Sequence, residues 1–167
     1  NLSVGVTDAF MRAVEENQPF PLINPRTKTV VKTIHAKSLF EEIARSAWEN
    51  GEPGVIFLDT INAANPTPLL GAIEGTNPCG EQPLLPFEAC ALGSINLSGM
   101  VACAHEGYAF DWNRFESVIH HAVRFLDNAI DVNTYPLPQI ERITKGNRKI
   151  GLGVMGLADL LIKLGIS

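Results

Sequence analysis

Cysteine is scarce in this chain: three among 167 residues, Cys79, Cys90 and Cys103. An odd number of thiols in a chain this long does not make a disulfide scaffold of the secreted kind. Long apolar runs are missing as well. No stretch approaches the roughly 18 uninterrupted apolar residues of a membrane span, and Asn1-Leu2-Ser3-Val4-Gly5 carries neither a basic leader nor a cleavage site. No membrane partner is expected, and the expected location is cytoplasmic. Positive charge is thin, since 13 Lys and Arg face 18 Asp and Glu and the densest basic group is the scattered set Arg142, Lys145, Arg148 and Lys149. A nucleic acid polymer, whose phosphates require a dense basic footprint, is therefore not an expected partner. An initiator Met is also absent. With the halt just after the apolar run Leu157–Leu164, this leads us to expect a piece of something longer.

What is present is an ordinary globular composition. Hydrophobic residues make up 46% and charged residues 19%, too apolar for disorder and enough for one packed core. Thr7 reads as the N-cap of a short helix bearing Phe10, Met11 and Val14, which Pro19 and Pro21 stop. Asn24-Pro25-Arg26-Thr27 reads as a turn and residues 29–34 as a β-branched strand. Ser38-Leu39-Phe40-Glu41 fits a capping box opening a helix that ends at Gly51. Residues 54–59 form an apolar run of the kind buried on both faces of a sheet. Residues 62–86, broken by Pro66, Pro68, Pro78, Pro83 and Pro86, read as a long irregular segment, a kind that is often functional. A short strand at residues 94–97, a long amphipathic helix capped by Asp111, a helix around Ile140 and Ile143, and a strand and helix over residues 149–164 complete an α/β pattern. No linker divides the chain, so residues 1–167 are expected to form a single segment.

Several chemical candidates are weak. Gly151-Leu152-Gly153-Val154-Met155-Gly156 satisfies G-x-G-x-x-G, but only a short lead precedes it and no acid follows at the spacing a dinucleotide site needs. Close helix–strand packing explains it better. His120 and His121 diverge by about 100° on a helix and cannot share a metal. Cys103, His105 and Glu106 are metal-capable types without ligand spacing, and no metal site is expected.

The segment Thr76-Asn77-Pro78-Cys79-Gly80-Glu81 is different. In an extended loop, alternate side chains lie on one side, which would bring Asn77, Cys79 and Glu81 together. A thiol can do one-electron or nucleophilic work, a carboxylate can move a proton, and a carboxamide can hold a hydroxyl. A turn whose cysteine is merely buried accounts for the same spacing. A Cys-dependent hydrolase would need a His base, which is not near in sequence, and Glu81 opposes a thiolate at Cys79 by like charge. A neutral thiol that yields a hydrogen atom has no such conflict.

Asn77-Pro78-Cys79-Gly80-Glu81-Gln82-Pro83-Leu84-Leu85-Pro86, then Glu88-Ala89-Cys90 and Leu92-Gly93-Ser94-Ile95-Asn96-Leu97, resembles the active-site segment of ribonucleotide reductases, most closely the adenosylcobalamin-dependent class II enzymes. Leu22 to Thr27, Glu52 to Asp59, Asn65 to Pro68 and Asn147 to Leu161 resemble the same family in the same order. Ala91 and Thr60 depart from its usual pattern, where Asn and Arg are common.

The resemblance implies part of a ten-stranded α/β barrel with the active-site loop threading its middle. It implies reduction of ribonucleotides to 2′-deoxyribonucleotides, the activity of a ribonucleoside-diphosphate reductase, with Cys79 as the thiyl radical, Glu81 as base and Asn77 orienting the sugar. Cys90 would be one of two redox thiols, its partner lying upstream of this chain. The implied cofactor is adenosylcobalamin and the implied reductant an external dithiol such as thioredoxin or glutaredoxin. Allosteric nucleotides and the rest of the reductase chain would complete the enzyme, and the isolated chain is expected to be inactive. Two alternatives are a class I chain dependent on a separate di-metal radical subunit, and a non-catalytic fragment that keeps the motif.

Overall fold

The computed structural model describes residues 2–105 and 107–166, which fall into two compact units, residues 1–86 and 87–167. In the first, β1 (Ser3–Val6) leads through Thr7 into α1 (Asp8–Glu15). Thr7 stays extended and its hydroxyl accepts the Phe10 N–H at 3.2 Å, the cap read from the sequence. Phe10 is buried with Val6 and Ala36, and meets Phe20 edge to face with ring centroids 5.2 Å apart.

Pro19 and Pro21 do more than stop α1. They lie in β2 (Pro19–Ile23), which pairs antiparallel with β3 (Val30–His35) across a turn where Asn24 Oδ1 accepts the N–H groups of Arg26 and Thr27. The next helix, α2 (Ala36–Asn50), corrects the expected capping box. His35 holds the N-cap position and Ser38 Oγ lies 3.4 Å from His35 Nδ1 instead of closing a box with Glu41. Tertiary packing sets this start, because Ala36 is fully buried and its N–H reaches back to the Gln18 carbonyl. The helix ends at Gly51, in the left-handed region at φ 84°, as expected.

The strand expected over residues 54–59 is shorter. β4 (Gly54–Phe57) pairs in parallel with β1, and Leu58 and Asp59 instead open α3 (Leu58–Ala63). Asp59 turns out of the strand for an electrostatic reason: its carboxylate accepts the Asp8 N–H at 2.7 Å, placing an anion at the start of α1. Gly54 and Phe57 are exposed, so β4 is not buried on both faces here. The irregular segment that follows is anchored by Asn62, whose Nδ2 donates to the carbonyls of Leu58 and Ile73 and whose Oδ1 accepts the Ile73 N–H. It carries a single 3-10 turn at Pro68–Leu70 and a short hairpin, β5 (Gly75–Thr76) with β6 (Pro83–Leu84).

The second unit opens with β7 (Ala91–Asn96), a 3-10 turn at Leu97–Met100, and a hairpin of β8 (Val101–Ala104) and β9 (Gly107–Phe110) that the sequence reading did not anticipate. Then come α4 (Trp112–Val132), capped by Asp111 as expected, α5 (Pro138–Asn147), β10 (Ile150–Met155) and α6 (Leu157–Leu164). β10 pairs in parallel with β7, and α4 lies on that ladder with Leu126 and Ile130 buried. Among the described residues there are five ladders of two strands each, two parallel and three antiparallel. The fold is thus mixed α and β, and among the described residues no closed barrel forms. No helix among them is long and apolar enough to cross a membrane.

The three glycines of G-x-G-x-x-G have unequal duties. Gly151 and Gly153 lie inside β10, whereas Gly156 is the N-cap of α6 at φ 71°. A Cβ there would sit 2.5 Å from Asn96 Oδ1, but one at Gly153 would meet nothing nearer than 3.8 Å. Gly156→Ala is expected to destabilise the fold by about 2 kcal/mol, from left-handed strain and the clash. Gly153→Ala should change it by no more than about 0.5 kcal/mol. Denaturant unfolding of the two variants tests this ordering.

Candidate functional site

The hairpin of β5 and β6 reverses the chain within residues 77–82, so its tip is built from the residues singled out in the sequence. Pairing of Gly75 with Leu84 and Thr76 with Pro83 closes the base. Above it the Asn77 N–H donates to the Gln82 carbonyl at 3.1 Å, and the Gly80 N–H donates to the Asn77 carbonyl at 3.0 Å. That second bond defines a tight turn over Asn77-Pro78-Cys79-Gly80. Pro78 fixes φ at its first central position, and Gly80 leaves the turn at φ 85°.

The expected extended run with alternating side chains is thereby corrected. Asn77, Cys79 and Glu81 share one tip because the backbone turns, not because it alternates. Asn77 is half-buried at the base, while Cys79 at the corner and Glu81 beyond it are exposed. Cys79 is a free thiol, and the alternative of a merely buried cysteine does not describe it. A Cβ built at Gly80 would meet nothing within 4 Å, so the tip stands in open space beside the sulfur.

Asn77 is committed on one side only. Its Oδ1 accepts the Gln82 N–H at 2.9 Å, and its carbonyl also accepts the Thr76 hydroxyl at 2.8 Å. The carboxamide oxygen therefore shapes the loop, and the amide nitrogen carries two further N–H donors. Asn77 and Pro78, together with Ser3, Glu74 and Thr76, line a cleft of about 280 Å³. Its wall joins hydroxyl, carboxylate and amide groups to the apolar Ile56 and Pro78. His35, the one histidine of this unit, faces Ser38, and among the described residues no histidine bonds to Cys79.

Cys90 belongs to the second unit, immediately before β7. It is a half-buried thiol whose Sγ donates to the Ala91 carbonyl at 3.6 Å. It lines a cavity of about 360 Å³ with Ala129, Ile130, Tyr135 and Thr144. Two residues earlier, Glu88 has a wholly buried side chain paired with Lys149 Nζ at 2.6 Å and with Asn147 Nδ2 at 2.7 Å. Sequence reasoning missed this pair, although a lone carboxylate between Phe87 and Ala89 was a usable signal, since buried charge requires a partner.

Of the basic set Arg142, Lys145, Arg148 and Lys149, the last three form ion pairs. Lys145 meets Glu141 at 2.7 Å, and that hydrogen bond raises its pKa. Arg148 grips Asp127 and Asp131 at 2.7 and 2.8 Å, and its hydrogen bonds hold both carboxyls below the usual carboxylate range. Cys103 and His105 are exposed, Glu106 lies outside the described residues, and no group of three or more ligand types gathers among those described. His120 and His121 are exposed on α4, His121 Nδ1 lying 2.6 Å from the Ser117 carbonyl oxygen.

A family model for the ribonucleotide reductase barrel domain matches residues 1–167. A vitamin B12-dependent ribonucleoside-diphosphate reductase of Mycobacterium tuberculosis is 57% identical over 99% of this chain and 23% of its own length. The protein of the same name from Thermoplasma acidophilum is 51% identical over 99% of this chain and 21% of its own. A vitamin B12-dependent ribonucleotide reductase of Streptomyces coelicolor is 36% identical over the same share of this chain and 17% of its own. The chain spans less than a quarter of the length of these relatives.

Proposed function

Because the chain belongs to the ribonucleotide reductase barrel-domain family, we propose that it is the segment of a vitamin B12-dependent ribonucleotide reductase that carries the hydrogen-abstracting loop, and that the complete protein makes 2′-deoxyribonucleotides for DNA synthesis. The observation that carries this reading is the hairpin tip, which presents the Cys79 thiol to open space between Asn77 and Glu81. The relatives' names favour it over a chain that takes its radical from a separate di-metal subunit.

In this mechanism the Cys79 sulfur, as a thiyl radical, takes the hydrogen atom from C3′ of the ribose, forming S–H and leaving a carbon radical. Glu81 accepts the 3′-hydroxyl proton as the 2′-hydroxyl departs with a proton as water. Asn77 donates from Nδ2 to a sugar hydroxyl, since its oxygen is held by Gln82. Cys90 and a second thiol from outside these 167 residues give two electrons and become a disulfide, and the hydrogen held on Cys79 returns to C3′. The balance is one ribonucleotide and two thiols to one deoxyribonucleotide, one disulfide and one water. An external dithiol of the thioredoxin or glutaredoxin type resets the disulfide by exchange.

Adenosylcobalamin, when bound, supplies the homolytic one-electron chemistry that removes the thiol hydrogen. In this reading the Cys79 thiol, exposed at the hairpin tip, is the group that would face it. The complete enzyme, the remaining barrel strands and any allosteric nucleotide sites lie beyond this segment in the same proposal. With 3′-deuterated ribonucleotide, the complete reductase is expected to show a primary isotope effect on turnover. No discrimination against deuterium at C3′, at any stage of a single turnover, overturns the assignment of Cys79.

A further inference from the structure

The buried Glu88 carboxylate has no part in the chemistry above, yet it sits two residues from the redox thiol. A buried ion pair is a poor stabilising device, because apolar residues of similar size often serve stability as well or better. Its placement is informative. Glu88 is held by Lys149 Nζ and Asn147 Nδ2, and the Ala89 N–H donates to the buried Thr144 hydroxyl at 3.3 Å. All three partners lie at the end of α5 or the entry to β10. That link is itself fixed to α4, because Arg148 lies between Asn147 and Lys149 and bonds Asp127 and Asp131. Ala91, just past Cys90, is already paired with Ile150.

Cys90 is thus the one residue between two fixed points, and it lines the cavity opposite Ala129 and Ile130 of α4. We propose that Glu88 is a positioning residue, which through Lys149 and Asn147 sets where the Cys90 sulfur stands at that cavity so that a second thiol can meet it. This rests on the reading of Cys90 as one of the two reducing thiols. The step it governs is the two-electron one: two S–H bonds break and one S–S bond forms, the two electrons and one proton making the new C2′–H bond and the other proton balancing the one that left with the 2′-hydroxyl as water. The earlier hydrogen abstraction by Cys79 is untouched.

The test uses the complete reductase with nucleotide and an external dithiol. Glu88→Gln keeps the volume but leaves one donor facing another, and it is expected to lower kcat roughly 10–100-fold, the cost of a displaced reacting group, with the nucleotide KM unchanged. Because reduction at C2′ then becomes the slow step, the 3′-deuterium isotope effect on kcat should shrink. Glu88→Asp, which keeps the charge, should recover part of the rate. A wild-type rate in Glu88→Gln, or a lower rate with an undiminished isotope effect, overturns the proposal, since the second means only fewer folded molecules. Should Glu88→Gln fail to fold, Glu88→Leu with Lys149→Met replaces the pair by packing, and full activity in that double variant likewise overturns it. Cys90→Ser separates the two levels: sustained turnover in Cys90→Ser removes the reading of Cys90 itself, whereas its loss beside unaffected Glu88 variants removes only the clamp.

Discussion

Cys79→Ala in the complete reductase is expected to stop deoxyribonucleotide formation, with a loss on the order of 10⁴-fold or more, as when an enzyme loses its nucleophile. Nucleotide affinity should stay nearly unchanged. In the proposed mechanism the sulfur is the reacting atom, and no other thiol lies at the tip. The loop should survive the change, because its shape is set by the Asn77 and Gly80 backbone bonds, the Asn77 side chain and Pro78, none of which involves the thiol. Turnover with product isolation and equilibrium binding of the ribonucleotide together decide the point. Substantial turnover in Cys79→Ala removes the radical role outright. A joint loss of turnover and binding would instead mean that the cysteine holds the loop.

Glu81→Gln should be the second most damaging change, lowering turnover roughly 10²–10⁴-fold, the usual worth of a positioned general base. The substitution keeps size and removes only the ability to take a proton. Glu81 is exposed on the same short tip, and no main-chain bond of the turn uses its side chain. The loss should therefore fall on kcat. Hydrogen loss from C3′ that persists in Glu81→Gln while product formation collapses would place the residue after abstraction. Wild-type kcat in this variant excludes it as the base.

Legibility of the fold in the sequence followed the range of the interactions. Thr7, Asp111 and Gly51 act within one helical turn of themselves, and each was readable as a cap from local composition. Ser38 shows the limit of that reasoning. Its capping pattern is sound in isolation, but Ala36 is drawn into the core by α1 and Gln18, and the helix begins before the pattern does. Asp59 fails for a like reason, since its partner is the Asp8 N–H on another helix. The two-residue strands β5 and β6 are too short for any periodicity, and Pro83 conceals the second of them.

The candidate loop was legible in its residue types and misread in its geometry. The residue types at 77, 79 and 81 announced a thiol, an acid and an amide on one loop. The alternation argument could not foresee that Pro78 and Gly80 fold that loop back on itself. The Glu88–Lys149 pair was illegible as a pair, because the two residues are 61 apart in the chain and meet only when β7 and β10 come together.

The two parallel ladders impose an order on the chain's own birth. As the polypeptide leaves the ribosome, β1 waits for its parallel partner β4 until Gly54–Phe57 emerges, and β7 waits for β10 until Ile150–Met155 does, after two whole helices and a hairpin have passed. Such distant pairings form slowly and leave strand edges bare in the interval. Slowing translation between those strands is expected to lengthen the interval in which their edges stand bare.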